Sequence, residues 1–306
     1  MELLTFFTPA YNRAYTLPRL YESLLRQTDS RFEWVIVDDG SKDNTEDLVN
    51  GWINDGKIKI VYKKQENQGK HIAVNTGVSI ANGELFFIVD SDDFVSDDAT
   101  EKVFAFWEEQ QPDDTISGIL SYKNFSTGKL SGFKLPENVK KCKFRDTIRK
   151  YGSYGEKTMI YKTDVLKKYP YPKFKGERFL GESYVFNQID DNYDMLVLDD
   201  VLYYFEYQEN GLSQDFRKLY RNNPNGFLIC YEQSVKYQKS FKRQIKTYAH
   251  ICCLRLRLHK YFKGFKGGAF FKKLLATPLG IALYFKIFVL KMSDVKHYTQ
   301  SQDDKE

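Results

Sequence analysis

The chain has 306 residues, 42% hydrophobic and 28% charged, with a mean hydropathy of −0.53. That length suits one large α/β domain with an appendage, or two small domains. No run approaches about 18 apolar residues without a charge, which argues against an ordinary membrane span. The start, MELLTFFTPAYNR, has no basic segment before its apolar run and does not read as a signal peptide. Cys142, Cys230, Cys252 and Cys253 form no CxxC pair and have no metal-ligand spacing, so they read as thiols in a reducing compartment. Secreted disulfide scaffolds, zinc ribbons and disordered chains are disfavoured, and a cytoplasmic location is expected.

The net charge of +5 hides an asymmetry. Residues 233–293 hold fourteen Lys and Arg and no Asp or Glu, leaving 32 basic against all 41 acidic residues elsewhere. An acidic body suits cations, and a basic region suits the phosphates of a membrane or polyanion.

In chain order, LLTFFT (3–8) is a predicted strand, followed by Leu17, Leu20, Leu24 and Leu25 at helical spacing. EWVIVD (33–38) is a second strand, and a capped helix is expected from about Ser41 to Ile53. KIKIVYK (57–63), a helix over 69–81 and ELFFIVD (84–90) complete the first hundred residues. Such alternation predicts βαβ units, a mainly parallel sheet and strand ends gathered on one rim, where ligands bind. Polar clusters at 8–13, 38–43 and 90–93 all follow strand ends. Further on, ISGILSYKN (116–124) and KTMIYK (157–162) predict strands, 181–190 a helix, and MLVLDDVLYYFEY (195–207) one or two strands. From about Asp215 the pattern is mostly helical, with breaks expected near Gly264–Gly268 and Pro278.

FIVDSDDF (87–94) sets Asp90, Asp92 and Asp93 after a buried strand. Asp90 and Asp92 can share one target on an extended chain, and close carboxylates want a cation between them. Hard oxygen ligands favour Mg2+ or Mn2+ completed by substrate phosphates. The same acids could instead cap a helix starting near Asp97. In VIVDDGSKDNT (35–45), helix capping accounts for Ser41 and Asp43 but not for Asp38 and Asp39 at the strand tip. A carboxylate there can accept from a nucleobase N–H or a ribose hydroxyl. In TPAYNR (8–13), Tyr11 could stack on a base or be an ordinary rim aromatic, and Arg13 could meet phosphate. Gly69, Lys70 and His71 enter a helix, a plausible anion site, while Ala73 and Gly77 suit close packing on the sheet.

TPAYNR, VDDGSKDNT, NQGKHIAVNTG and VDSDD, in that order, resemble an inverting family 2 glycosyltransferase of GT-A fold, closely over 3–95 and loosely to about 210. The resemblance implies a nucleotide-sugar donor, usually UDP-linked, and Mn2+ or Mg2+ held by Asp90 and Asp92. It places Pro9, Tyr11, Arg13, Asp38, Asp39, Lys70, Asp90 and Ser91 around the nucleotide sugar. The resemblance implies a general base drawn from a Glu-Asp pair about ninety residues after the acidic motif. Here GERFLGESYVFNQI (176–189) offers Glu182 followed by Ser183, a departure. Glu182 is taken as the catalytic base, with Glu177 as the other choice. As a structural residue, Glu182 would be an acid favourably placed at a helix N-terminus. YQENGLS (207–213) also resembles a family feature on the acceptor side.

Residues 241–292 interleave Lys and Arg with Phe, Tyr, Leu and Ile, as in FKGFKGGAFFKKLL. LLATPLGIALYFKIFVL (274–290) is interrupted by Pro278 and Lys286, so it would lie flat on a membrane rather than span it. Packing on the catalytic body is the other reading, and no nucleic-acid motif appears. The expected organisation is a catalytic domain over 1–212, divided into a nucleotide-sugar half (1–95) and an acceptor half (96–212). A helical, basic, membrane-contacting region covers 213–306. The expected acceptor is a glycan or lipid-linked glycan of surface polysaccharide assembly, with the protein peripheral on the inner membrane face. A sugar nucleotidyltransferase is the competing enzyme, although residues 8–13 contain no glycine for a phosphate loop. A non-catalytic partner subunit, suggested by Ser183, is the third reading.

Overall fold

The first of the long apolar runs becomes strand β1 (Leu4–Ala10), followed by α1 (Leu17–Leu25), β2 (Phe32–Asp38), α2 (Thr45–Asp55), β3 (Ile60–Lys64), α3 (Lys70–Ile80) and β4 (Leu85–Ile88). The structure is a computed structural model, and it describes residues 4–206, 216–260 and 269–290. The expected YQENGLS feature, the boundary at 212–213 and the glycines of 264–268 lie outside those residues.

All seven residues of β2 are buried, which is why its sequence is nearly continuous in apolar residues. Glu33 within it accepts from Thr5 Oγ1 at 2.9 Å and from Asn82 N at 2.6 Å. The chain continues through β5 (Phe94–Val95), α4 (Ala99–Gln110), β6 (Ile116–Phe125), β7 (Lys141–Cys142), α5 (Asp146–Arg149), β8 (Lys157–Lys162), α6 (Thr163–Lys168), α7 (Ser183–Asn192) and β9 (Asp194–Phe205). Together the strands make a nine-stranded sheet ordered β3-β2-β1-β4-β8-β6-β9-β5, with β7 paired to β9. The half built from β3, β2, β1 and β4 is parallel, and β8 joins β4 antiparallel. Leu17, Leu20 and Leu24 of α1 are buried with Phe6, Trp34 and Phe87 in the core under one face of this sheet. On α3, Gly77 packs so closely that a Cβ there would stand 2.2 Å from the Phe7 ring.

One boundary differs from expectation for a local reason. The second helix starts at Thr45 rather than Ser41: Ser41 Oγ accepts from Asn12 N in the neighbouring loop, while Asp43 accepts from Thr45 N at 3.1 Å at the helix start and from Ala14 N at 3.1 Å. Of the run expected to give one or two strands, the described part forms a single strand, β9, whose register against β6 shifts at irregularities.

The chain divides into two compact units, one of residues 1–178 and 182–209, the other of 179–181 and 210–306. The second is helical: α8 (Phe216–Asn222), α9 (Pro224–Ser234), α10 (Phe241–Arg257) and α11 (Phe270–Tyr284), which runs into a π-helical turn over Phe285–Val289. The expected break at Pro278 does not occur, since α11 continues through it. Packing of α11 on α10 offsets the hydrogen bond that proline removes, and Thr277 Oγ1 donates to the Lys273 carbonyl at 2.8 Å in the preceding turn. No described helix is long and apolar enough to cross a membrane.

Candidate active site

The loops leaving β1 and β2 are stitched to each other. Asn12 N donates to Ser41 Oγ at 2.8 Å, Lys42 N to Asn12 Oδ1 at 2.8 Å, and Arg13 N to Thr45 Oγ1 at 3.1 Å. Asn12 takes a left-handed backbone with φ of 54°, which asparagine tolerates better than most residues. Pro9 is half-buried at the end of β1, Tyr11 is 43% exposed, and the Arg13 guanidinium donates to the Tyr15 hydroxyl at 2.9 Å.

Asp38 and Asp39 sit at the tip of β2 as expected, and both are buried. Asp38 accepts from Ser41 N at 2.7 Å and from the Tyr62 hydroxyl at 2.6 Å. Asp39 accepts from Gln65 Nε2 at 2.8 Å, Gln68 N at 2.8 Å and Gly69 N at 2.7 Å. The second carboxylate thereby fixes the turn that delivers Lys70. Gly69 belongs in that turn because its φ is +92° and a Cβ would lie 1.9 Å from the Arg178 carbonyl oxygen.

Lys70 opens α3 and meets two carboxylates that the sequence reading had assigned to separate roles. Its Nζ lies 2.6 Å from Asp90 Oδ1 and 2.7 Å from Glu182 Oε1. Burial alone would lower the ammonium's pKa, but the charges of Asp90 and Glu182 hold it well above the usual lysine range. Burial would likewise raise Asp90, yet Lys70, and after it Lys123, keep that carboxyl below its ordinary value. Glu182 stands immediately before α7, makes no side-chain cap, and is 43% exposed at its side chain. Its carboxylate is thus committed to Lys70 rather than to the helix end. Glu177 is buried on the connection before Glu182, with its amide on the Phe174 carbonyl.

Tyr203, Lys123 and Arg19 join the acidic segment without having been singled out from sequence. Tyr203 of β9 accepts from Asp90 N at 2.9 Å and donates to Asp93 Oδ2 at 2.6 Å. Asp93 is buried, and burial followed by the neighbouring Asp90 charge pushes its pKa up to about 7. Lys123 Nζ lies 3.8 Å from the centroid of the Tyr203 ring. Arg19 of α1 donates to the Asp92 carbonyl, pairs with Glu206 at 3.2 Å and covers the Phe94 ring. The alternation of β9 was the available signal for Tyr203, and nothing in the spacing of α1 distinguished Arg19. Ser91 is buried within the same segment.

Among the described residues, no three His, Cys, Asp or Glu side chains converge as a ready-made metal cage. Mg2+ and Mn2+ need no such cage where substrate phosphates complete their shell. Asp90, 38% exposed at its side chain, with Asp92 two residues on, offers the hard oxygen donors that such a cation takes.

A βαβ nucleotide-type rim carrying these loops invites comparison with known proteins, and the profile of glycosyl transferase family 2 matches residues 5–168. The chain belongs to that family. Glycosyltransferase GlyG of Streptococcus pneumoniae is 34% identical over 123 residues, a match that takes in 40% of this chain and 40% of that one. S. aureus TarS 1–349, solved with UDP-GlcNAc, superposes with a TM-score of 0.59 at 19% identity, over 93% of this chain and 90% of that one. The mannosyltransferase PcManGT of Pyrobaculum calidifontis, solved with GDP-Man and Mn2+, gives 0.52 at 19% identity, over 93% and 81%. At that identity the two structures speak for the fold, and this family 2 member has the GT-A architecture that its motifs implied. The family match covers β1 to α6, so Glu182 and Ser183 lie beyond its end.

Proposed function

We propose that this family 2 protein is a metal-dependent inverting glycosyltransferase that moves a sugar from a nucleoside diphosphate donor, UDP-linked, to an acceptor hydroxyl. The observation that carries the reading is the Lys70 ammonium joining Asp90 to Glu182, because it sets a phosphate-facing acid and a candidate base on one cation. Pro9, Tyr11 and Arg13 flank the nucleotide, Asp38 or Asp39 meets the base and ribose, and Ser91 and Asp90 lie along the sugar diphosphate. Asp90 and Asp92 are the residues that would hold Mn2+ or Mg2+, which when bound offsets charge building on the departing diphosphate.

The acceptor oxygen forms a bond to the anomeric carbon as the bond from that carbon to the diphosphate oxygen breaks. Glu182 takes the hydroxyl proton, and the nucleoside diphosphate leaves with the bonding pair. One displacement inverts an α-linked donor to a β-linked product. Lys70 then has a second anion to hold, the diphosphate, and its transfer onto that group frees Glu182 to accept the proton. With Glu182 in the role of base, Ser183 need not be acidic.

The basic composition of residues 233–293 supports a lipid-linked glycan acceptor in surface polysaccharide assembly, with the protein peripheral on the cytoplasmic face of the membrane. The experiment is a melting-temperature screen of nucleotide sugars with and without Mn2+, followed by identification of the released product. A donor that raises the melting temperature and yields nucleoside diphosphate supports the reading. Pyrophosphate release would make the protein a nucleotidyltransferase. Failure of any nucleotide sugar to bind would leave the partner-subunit reading.

A further inference from the structure

Helix α11 packs on α10 through small residues and leaves large apolar ones in water. Ala276, Gly280 and Ile287 are buried, and a Cβ on Gly280 would stand 2.8 Å from the Ala249 carbonyl oxygen. On the other side Phe271, Leu274, Leu275, Leu279, Phe285 and Val289 are all exposed, Phe271 to 76%. At about 100° per residue the four in α11 fall within one half of the helix circumference, and Phe285 and Val289 follow in the π-helical turn. A soluble helix normally turns that half inward, and an exposed apolar stripe of this width marks an interaction surface.

The charge around the stripe selects the partner. Lys286 interrupts it, Lys272 and Lys273 lie in the first turn with their amines over the Phe241 and Tyr248 rings of α10, and residues 233–293 contain no acid. A protein–protein interface has a polar rim of mixed character. An apolar face on a region whose charged residues are all basic matches an anionic bilayer, with phosphates for the ammonium groups and acyl chains for the rings and leucines. α11 is only 15 residues long and contains Pro278, so it is suited to lie along the interface and not across it.

We propose that α11 and the turn after it rest in the plane of an anionic membrane surface with this face sunk into the headgroup–acyl boundary. The proposal deepens the peripheral-membrane reading above and rests on it; the donor chemistry is tested separately. The test sediments the full chain with vesicles of phosphatidylcholine alone and with about one-third phosphatidylglycerol added, at low and high salt. Native protein is expected to bind the anionic vesicles and to weaken as salt rises. The exposed pair Leu274→Gln with Leu279→Gln should weaken binding about tenfold or more, since two leucines no longer leave water. Lys272→Gln with Lys273→Gln should weaken it on anionic vesicles only. A Leu275→Trp variant should be quenched by brominated lipid, and the native tryptophans 34, 52 and 107 all lie in the other unit. Circular dichroism of each variant should match the native chain. If the leucine pair binds as tightly as native and the tryptophan escapes quenching, charge alone makes the contact and the buried face is wrong. If native protein binds neither vesicle, the membrane reading falls with it. Dimerisation without lipid that the leucine pair abolishes would overturn the proposal in favour of a second copy of this chain.

Discussion

Lys70 holds Asp90 and Glu182 on one ammonium, at 2.6 and 2.7 Å, although the three come from the start of α3, the loop after β4 and the residue before α7. Removing the charge while keeping the stem, as in Lys70→Met, leaves two carboxylates facing each other without their shared cation. Nucleoside diphosphate binding should weaken by about tenfold to a hundredfold, the range of a charge-assisted contact, and turnover should fall at least as far. Calorimetric titration with UDP and steady-state kinetics would check both. Unchanged UDP affinity would place Lys70 away from the diphosphate.

The assignment of the base separates two neighbouring acids. Glu182→Gln keeps the size of the side chain and its reach toward Lys70 but cannot take a proton. Turnover should drop by about two to four orders of magnitude with donor affinity nearly intact. Glu177→Gln should change turnover only a few-fold, because Glu177 is buried on the preceding connection. The reverse pattern would move the base to Glu177.

The parallel half of the sheet was legible because a strand buried on both faces runs nearly continuously apolar, as β2 does from Trp34 to Val37. The polar rim was legible for a related reason, since strand ends are where such runs stop. What each polar residue does there was not. Ser41 looks like a helix cap by residue type, yet its hydroxyl accepts from Asn12 N, and Asp43 divides its oxygens between Thr45 N at the helix start and Ala14 N in the neighbouring loop. Asp39 at the strand tip also organises Gln68 and Gly69, through amides that no spacing rule brings near. Lys70 and Glu182 were both selected from sequence, but their pairing depends on how the connection 176–182 crosses α3. That crossing is long-range packing, visible in the approach of Arg178 to Gly69 and in no local pattern.

The same crossing makes Gly69 the most demanding glycine of the site. Gly69→Ala forces a side chain into left-handed backbone and drives its Cβ against the Arg178 carbonyl. The expected loss is on the order of 3 kcal/mol in urea denaturation, with turnover falling further because Lys70 is displaced. Gly56→Ala is the control: its φ is +63°, but a Cβ there meets nothing within 4 Å. That variant should lose only about 1 kcal/mol and keep its activity.

His71 gives the pH dependence a sign. Its ring is buried against Tyr171 at the start of α3, and its Nδ1 meets no hydrogen-bond partner among the described residues. Burial pushes its pKa down to about 4, against about 6.5 for an unfolded histidine. Between those values the unfolded chain takes up a proton that the folded chain refuses, so acid favours unfolding. The contribution is fully present above about pH 6.5, declines as pH falls toward about 4, and is worth on the order of 3 kcal/mol in all. His71→Phe keeps an aromatic ring against Tyr171 and cannot titrate. The difference in unfolding free energy between native and His71→Phe should change across that window in favour of the variant as pH drops. A difference independent of pH would mean that the folded protein accommodates the imidazolium.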